Sequence, residues 1–182
     1  LVDGFEFDAS KGFTTIFGFD ARHYIPLFRH SLIAVRAAGA TSLGNKRNLY
    51  YIGGVNNGFS NPFNENVSIP SGDFAYKTNA HHLRGFSSNA RNGTTYALIN
   101  SEVRIPFARY FMGNYGGSSF FRNLQLVLFY DMGTAWHGSS PYSDANPLNT
   151  VTLQSPPVLD LTVRYFRDPL VMGYGAGLRM NL

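Results

Sequence analysis

The 182 residues, 44% hydrophobic and 14% charged, amount to one domain, and 16 Phe, 11 Tyr and 19 Gly tilt it toward β-structure. No apolar run reaches the roughly 18 residues a membrane helix needs, so helical spanning is excluded, whereas strands of about 9 to 11 alternating residues can cross a bilayer within a chain of slightly negative mean hydropathy. The lack of cysteine excludes disulfides and thiolate metal sites, and 15 Lys and Arg against 11 Asp and Glu, spread without a basic block, give nucleic-acid binding no electrostatic footing.

Alternation predicts a first strand over about 12–24, with Phe13, Thr15, Phe17, Phe19 and Ala21 on one face and Thr14, Gly18, Asp20 and Arg22 on the other. A tight link through Ile25 to Arg29 leads to a second strand over about 31–42, where Ile33, Val35 and Ala37 alternate against Leu32, Ala34 and Arg36. A stretch of about 43–92 rich in Asn, Gly, Ser and Pro then reads as one long loop, holding Tyr50-Tyr51-Ile52-Gly53-Gly54 near its start and Leu83-Arg84-Gly85-Phe86 near its end. A loop of that length implies a functional reason for its retention.

A third strand is predicted over about 94–107, with Ala97, Ile99, Val103 and Ile105 facing one way and Asn100, Glu102 and Arg104 the other. After a Gly- and Ser-rich turn over 108–119, the clearest strand spans about 121–136. Its outer set is Leu124, Leu126, Leu128, Tyr130, Met132 and Trp136, and its inner set is Asn123, Gln125, Val127, Phe129, Asp131 and Gly133. A second long loop over about 137–169 precedes a last strand over about 170–182, whose inner side is Val171, Gly173, Gly175, Gly177, Arg179 and Asn181. Long loops at one end and short turns at the other, with Trp136, Tyr24 and Phe107 placed to join interface girdles, predict an all-β, antiparallel transmembrane barrel wall. Five strands do not close such a barrel, so the chain, which starts at Leu1 without Met and stops at Leu182 within a strand, reads as a fragment of one barrel domain.

These motifs resemble those of the bacterial surface antigen superfamily of outer-membrane barrels, whose best-known members are the BamA-type assembly factors and TamA. The resemblance rests on Gly53-Gly54 at the start of the long loop, the Leu83 to Phe86 tip, Glu102 followed by Pro106, and Asp131-Met132-Gly133-Thr134 ending in Trp136. It implies that the strands are the tenth to fourteenth of a barrel of about sixteen. It also implies that Arg84 reaches back into the lumen to meet Glu102 and Asp131, forming a strut with Gly85, Phe86 and Gly133, where Gly85 permits a tight turn and the Gly173, Gly175 and Gly177 track leaves room. Implied partners are outer-membrane lipid, the remaining strands from the same or another chain, client outer-membrane proteins, and periplasmic or lipoprotein accessory subunits. The implied location is the outer membrane of a Gram-negative bacterium.

No enzyme is expected, because no Gly-x-Ser-x-Gly elbow or P-loop spacing is present, and neither a cofactor nor a metal is expected. His81-His82 lacks a completing ligand and reads as a solvated loop pair. Two functions follow from the resemblance. The first is insertion or translocation of proteins at the outer membrane. The alternative is a structural or binding barrel without insertase activity, working through loop aromatics such as Tyr50, Tyr51, Phe59, Phe63, Tyr76 and Tyr142.

Overall fold

The structure is a computed structural model that describes residues 12–28, 30–55, 61–106, 109–110, 123–144, 146, 148–155, 159–164 and 168–180. Its main body is an antiparallel sheet of five strands, β1 (Thr14–Pro26), β2 (Leu32–Gly44), β6 (Thr95–Ile105), β7 (Leu124–Trp136) and β10 (Val171–Met180), neighbours in that order. No helix among the described residues is long and apolar enough to cross a membrane.

Two smaller sheets occupy the predicted loops. β3 (Leu49–Ile52) lies between β4 (Lys77–His81), parallel to it, and β5 (Arg91–Gly93), antiparallel to it, while β8 (Thr150–Ser155) and β9 (Leu159–Arg164) form a hairpin. The expectation of two loops without strands is therefore corrected. Both carry sheet, because pieces of three to six residues leave too few positions for alternation to show, and β3 has none, all four of its residues being buried. Predicted Phe107, part of the 108–119 turn, Asn181 and Leu182 lie outside the described residues.

Register converts strand parity into continuous rows. Ala21, Ala37, Ile99, Met132 and Met172 form one row across all five strands, followed by His23, Val35, Ser101, Tyr130 and Tyr174. That face is mostly apolar and bare: Phe17, Phe19, Leu128, Leu178 and Met172 are exposed, and Tyr174 reaches 85% exposure. A soluble sandwich would cover such a surface, whereas a barrel wall turns it to lipid.

The opposite face is polar and is covered by the long loop. There Ala38, Leu98 and Val171 pack against Tyr50, Ile52 and Leu83 from the loop, with Tyr96 and Ala135, to make a small core. The rings of Tyr50 and Tyr96 meet edge to face at 5.0 Å, which fixes β3 over β6. The loop also holds itself together through amides. Asn89, at φ 63°, donates to the carbonyls of Asn64 (2.8 Å) and Val67 (3.2 Å), and Asn92 donates to Asn89 Oδ1 (2.8 Å) and the Ser68 carbonyl (3.1 Å). Buried side-chain amides thus replace the ladder bonds that irregular backbone lacks.

Gly93 marks the tightest approach of loop to wall, since a Cβ there would collide with the backbone N, C and O of Trp136. At Gly177 on β10 a Cβ would meet nothing within 4 Å. Gly93→Ala is therefore expected to lower the temperature at which the folded barrel loses its compact gel mobility, at a cost of about 1–3 kcal/mol, while Gly177→Ala leaves it unchanged. Equal behaviour of the two variants would contradict this packing.

Candidate functional site

The residues that carry chemistry sit on consecutive rows of the loop-covered face. One row runs Arg22, Arg36, Asn100, Asp131 and Gly173, and the next runs Tyr24, Ala34, Glu102, Phe129 and Gly175. Above them the loop lowers its Leu83-Arg84-Gly85-Phe86 tip. Gly53 and Gly54, at φ 124° and 80°, allow the backbone to stitch both flanks of that tip: Gly53 N–H donates to the His81 carbonyl (3.2 Å) and Gly54 N–H to the Phe86 carbonyl (2.8 Å). Gly85 turns at φ 90°, in the left-handed region where a side chain would be strained.

Each tip residue has a seat on the wall. Leu83 Cδ1 fills the space a Cβ would need at Gly133, and the Arg84 carbonyl and Phe86 ring close over Gly173. Arg84 aims its guanidinium between the two rows. Its Nε and Nη2 donate to Asp131 Oδ2 and Oδ1, both at 2.6 Å, and its backbone N–H donates to Oδ2 at 3.1 Å. Its Nη1 donates to Glu102 Oε1, and its Cζ lies 4.1 Å from the centre of the Phe129 ring. Asp131 is fully buried, so its charge is tolerable only because the Arg84 Nε, Nη2 and backbone N–H all converge on it. Glu102 turns its other oxygen to Arg104, accepting from Nε (2.8 Å) and Nη2 (2.7 Å).

The structure thus brings Arg84, Glu102 and Asp131 into one ionic cluster, with Gly85 at its turn, Phe86 beside it and Gly133 beneath Leu83. Along the predicted glycine track, Gly173 receives the tip, Gly175 receives the Phe129 ring and Gly177 faces open space.

A second cluster was missed from the sequence. Asp20 accepts Nε and Nη2 from Arg22 (3.2 and 3.0 Å) and from Arg36 (3.0 and 2.7 Å), and Arg36 Nη2 also meets His81 Nδ1 at 3.0 Å. Parity places Asp20 and Arg22 on the polar face of the first strand and Arg36 with Leu32 and Ala34 on one face of the second, but only the β1–β2 register sets the two arginines opposite each other.

Three expectations are corrected. His81 is half-buried against Arg36 and the Tyr96 ring (5.3 Å) and is not a solvated loop residue. Tyr24 shares the inner row with Glu102 and lines, with Arg22, a cavity on the loop-covered face, so it is no girdle residue. Tyr50 and Tyr51 are buried and offer no binding surface, whereas Phe63, Tyr76 and Tyr142 are exposed and Phe59 lies outside the described residues.

Among comparisons with known proteins, the model of the Omp85 superfamily domain matches residues 6–182. No curated protein and no solved structure matches the chain.

Two predictions follow from this geometry. Removing one partner of a buried pair leaves an uncompensated charge, so Asp131→Asn is expected to weaken loop docking by about 3–5 kcal/mol. Limited proteolysis within 43–92 should accelerate accordingly; protection equal to wild type would show that the fork does not hold the loop.

The other concerns pH. Burial first, and the Arg36 charge second, push the His81 imidazole from 6.5 down to about 4, and burial with Arg47 does the same to His137. Both rings are neutral when docked, whereas a released ring takes up a proton near pH 6.5. The stabilisation is complete above about 6.5 and is lost as pH falls toward about 4. Loop protection should decline across that window, with an onset blunted in His81→Gln; a profile flat from neutral to pH 4 would contradict the burial of both rings.

Proposed function

The chain belongs to the Omp85 superfamily, and from that premise we propose that it forms part of a barrel that inserts or translocates proteins at the outer membrane of a Gram-negative bacterium, in the manner of BamA-type factors. Membership and the all-β wall make it an outer-membrane β-barrel protein of a family concerned with protein insertion and translocation. The observation that carries the proposal is the fork of Arg84 on Asp131 and Glu102, within the segment the family model matches. In this reading the loop is an internal strut that holds the wall in shape, so that strand exchange elsewhere in the barrel does not collapse it. The work is physical and uses no enzyme chemistry and no cofactor. A barrel offers backbone hydrogen bonds to an incoming strand, as sheet edges do in β-augmentation. Clients are outer-membrane proteins, and periplasmic or lipoprotein subunits are the accessory partners.

The exposed loop aromatics Phe63, Tyr76 and Tyr142 favour a second reading, a binding or structural barrel in a larger envelope complex with the same strut. A charge swap in cells separates the two. Arg84→Glu is expected to loosen the barrel on gels and to deplete other outer-membrane proteins, and adding Asp131→Arg should partly restore both. A loosened barrel with normal levels of other outer-membrane proteins would transfer the proposal to the binding role.

A further inference from the structure

Beyond the docked tip, toward the short turn between β1 and β2, the lumenal face holds a cavity of about 380 Å³ lined by Arg22, Tyr24, Arg36, Arg84, Glu102 and Arg104. Four guanidiniums surround it, those of Arg22, Arg36, Arg84 and Arg104, and they share three carboxylates, Asp20, Glu102 and Asp131. The compensation is incomplete by one charge. Arg22 and Arg36 stand directly opposite each other on β1 and β2, a like-charge juxtaposition that an anion must separate, and Asp20 supplies only one.

Donor geometry points the same way. Arg22, Arg36 and Arg104 each spend the Nε and Nη2 edge on an internal carboxylate. Their Nη1 groups have no hydrogen-bond partner among the described residues. Planar guanidinium donors of this kind match the paired oxygens of a carboxylate or phosphate.

We propose that this cavity binds carboxylate side chains of an acidic peptide segment lying in the lumen. Its volume falls at the small end of ligand sites, room for one or two side chains, and Tyr24, Ala34 and Val55 give the arginines an apolar border suited to peptide stems. Its position on the polar face, opposite the apolar face that meets lipid, keeps it from bilayer headgroups. The site rests on the reading that the barrel handles polypeptide, and it gives that handling a charge preference. A passing acidic segment would be held beside the strut, sharing Arg104 with Glu102 and Arg22 with Asp20.

The test uses the intact barrel protein in detergent and two fluorescein-labelled peptides, one alternating Glu and Ala and one alternating Gln and Ala, followed by fluorescence anisotropy. The Glu peptide is expected to bind at least about tenfold more tightly than the Gln peptide, with affinity falling as salt is raised. The double variant Arg22→Gln with Arg104→Gln, which leaves the Arg84 fork intact, should erase that preference. Should the double variant fail to fold, Arg22→Gln alone, at an exposed side chain, should weaken Glu-peptide binding about threefold. Equal binding of the two peptides, or full binding by the variants, overturns the site. Displacement of the Glu peptide by inorganic phosphate at lower concentration than by free glutamate assigns the donors to phosphate and also overturns the peptide proposal. Binding is scored on purified protein and insertion by protein levels in cells, so loss of peptide preference defeats this inference alone, and normal levels in the strut variants defeat the insertion reading alone.

Discussion

The loop's hold on the wall turns on a single guanidinium shared by two carboxylates. Bringing Arg84, Asp131 and Glu102 out of water costs several kcal/mol per ion, and their attraction offsets that cost only when geometry is good and the remaining donors are met. The structure meets that condition, with three N–H groups of Arg84 on fully buried Asp131 and its outer nitrogen on Glu102. A pair of this kind is a weak source of net stability and a strong source of registry. An apolar tip could slide along the wall by a residue pair; a fork that must straddle two rows cannot.

Registry of the tip depends in turn on what the wall omits. A side chain at Gly133 would occupy the seat of Leu83, and one at Gly173 would strike the Arg84 carbonyl. These two glycines, on neighbouring strands, define a hollow, and the acids stand beside it on β6 and β7. Glycine in a strand interior weakens the sheet, so the wall gives up local strength where the loop supplies contacts in return. Gly39 shows another use of the same omission on the bare face, where the Phe19 ring lies 3.1 Å from the place a Cβ would hold. There an aromatic neighbour covers the gap, as cross-strand aromatics do over glycine in other sheets.

The wall was legible because its signal is long. Strands of ten to thirteen residues with period-two alternation survive irregular boundaries, and the predicted faces agree with the rows found for Asp131, Glu102, Arg36 and the outer Tyr130 and Met132. Boundaries shifted by a residue or two, since the strand expected over 94–107 forms as β6 over Thr95–Ile105. The loop sheets were illegible for the converse reason: β3 has four residues, all buried, and β5 has three, two of them buried, too short for a period, in a composition that reads as turn. The Asp20, Arg22, Arg36 and His81 cluster was hidden for a different reason. Faces follow from parity within one strand, but partners follow from register between strands, and a histidine delivered by a loop fold has no sequence spacing to betray it.

The two ionic clusters make loop and wall separable. Every bond from Arg84 to Asp131 and Glu102, and from His81 to Arg36, runs between side chains or from a loop backbone to a wall side chain. In the wall itself, β1, β2, β6, β7 and β10 are paired residue by residue along their backbones. Releasing the tip would therefore forfeit the fork and the small apolar core around Leu83 while leaving the strand ladder whole. The reverse does not hold, because Asp131 and Glu102 lie on adjacent strands, and sliding β6 against β7 by two residues would separate the two acids that Arg84 must touch together. The docked loop therefore reports on the register of the wall, which is the property a barrel must keep if its strands are to be offered to another chain elsewhere around its circumference.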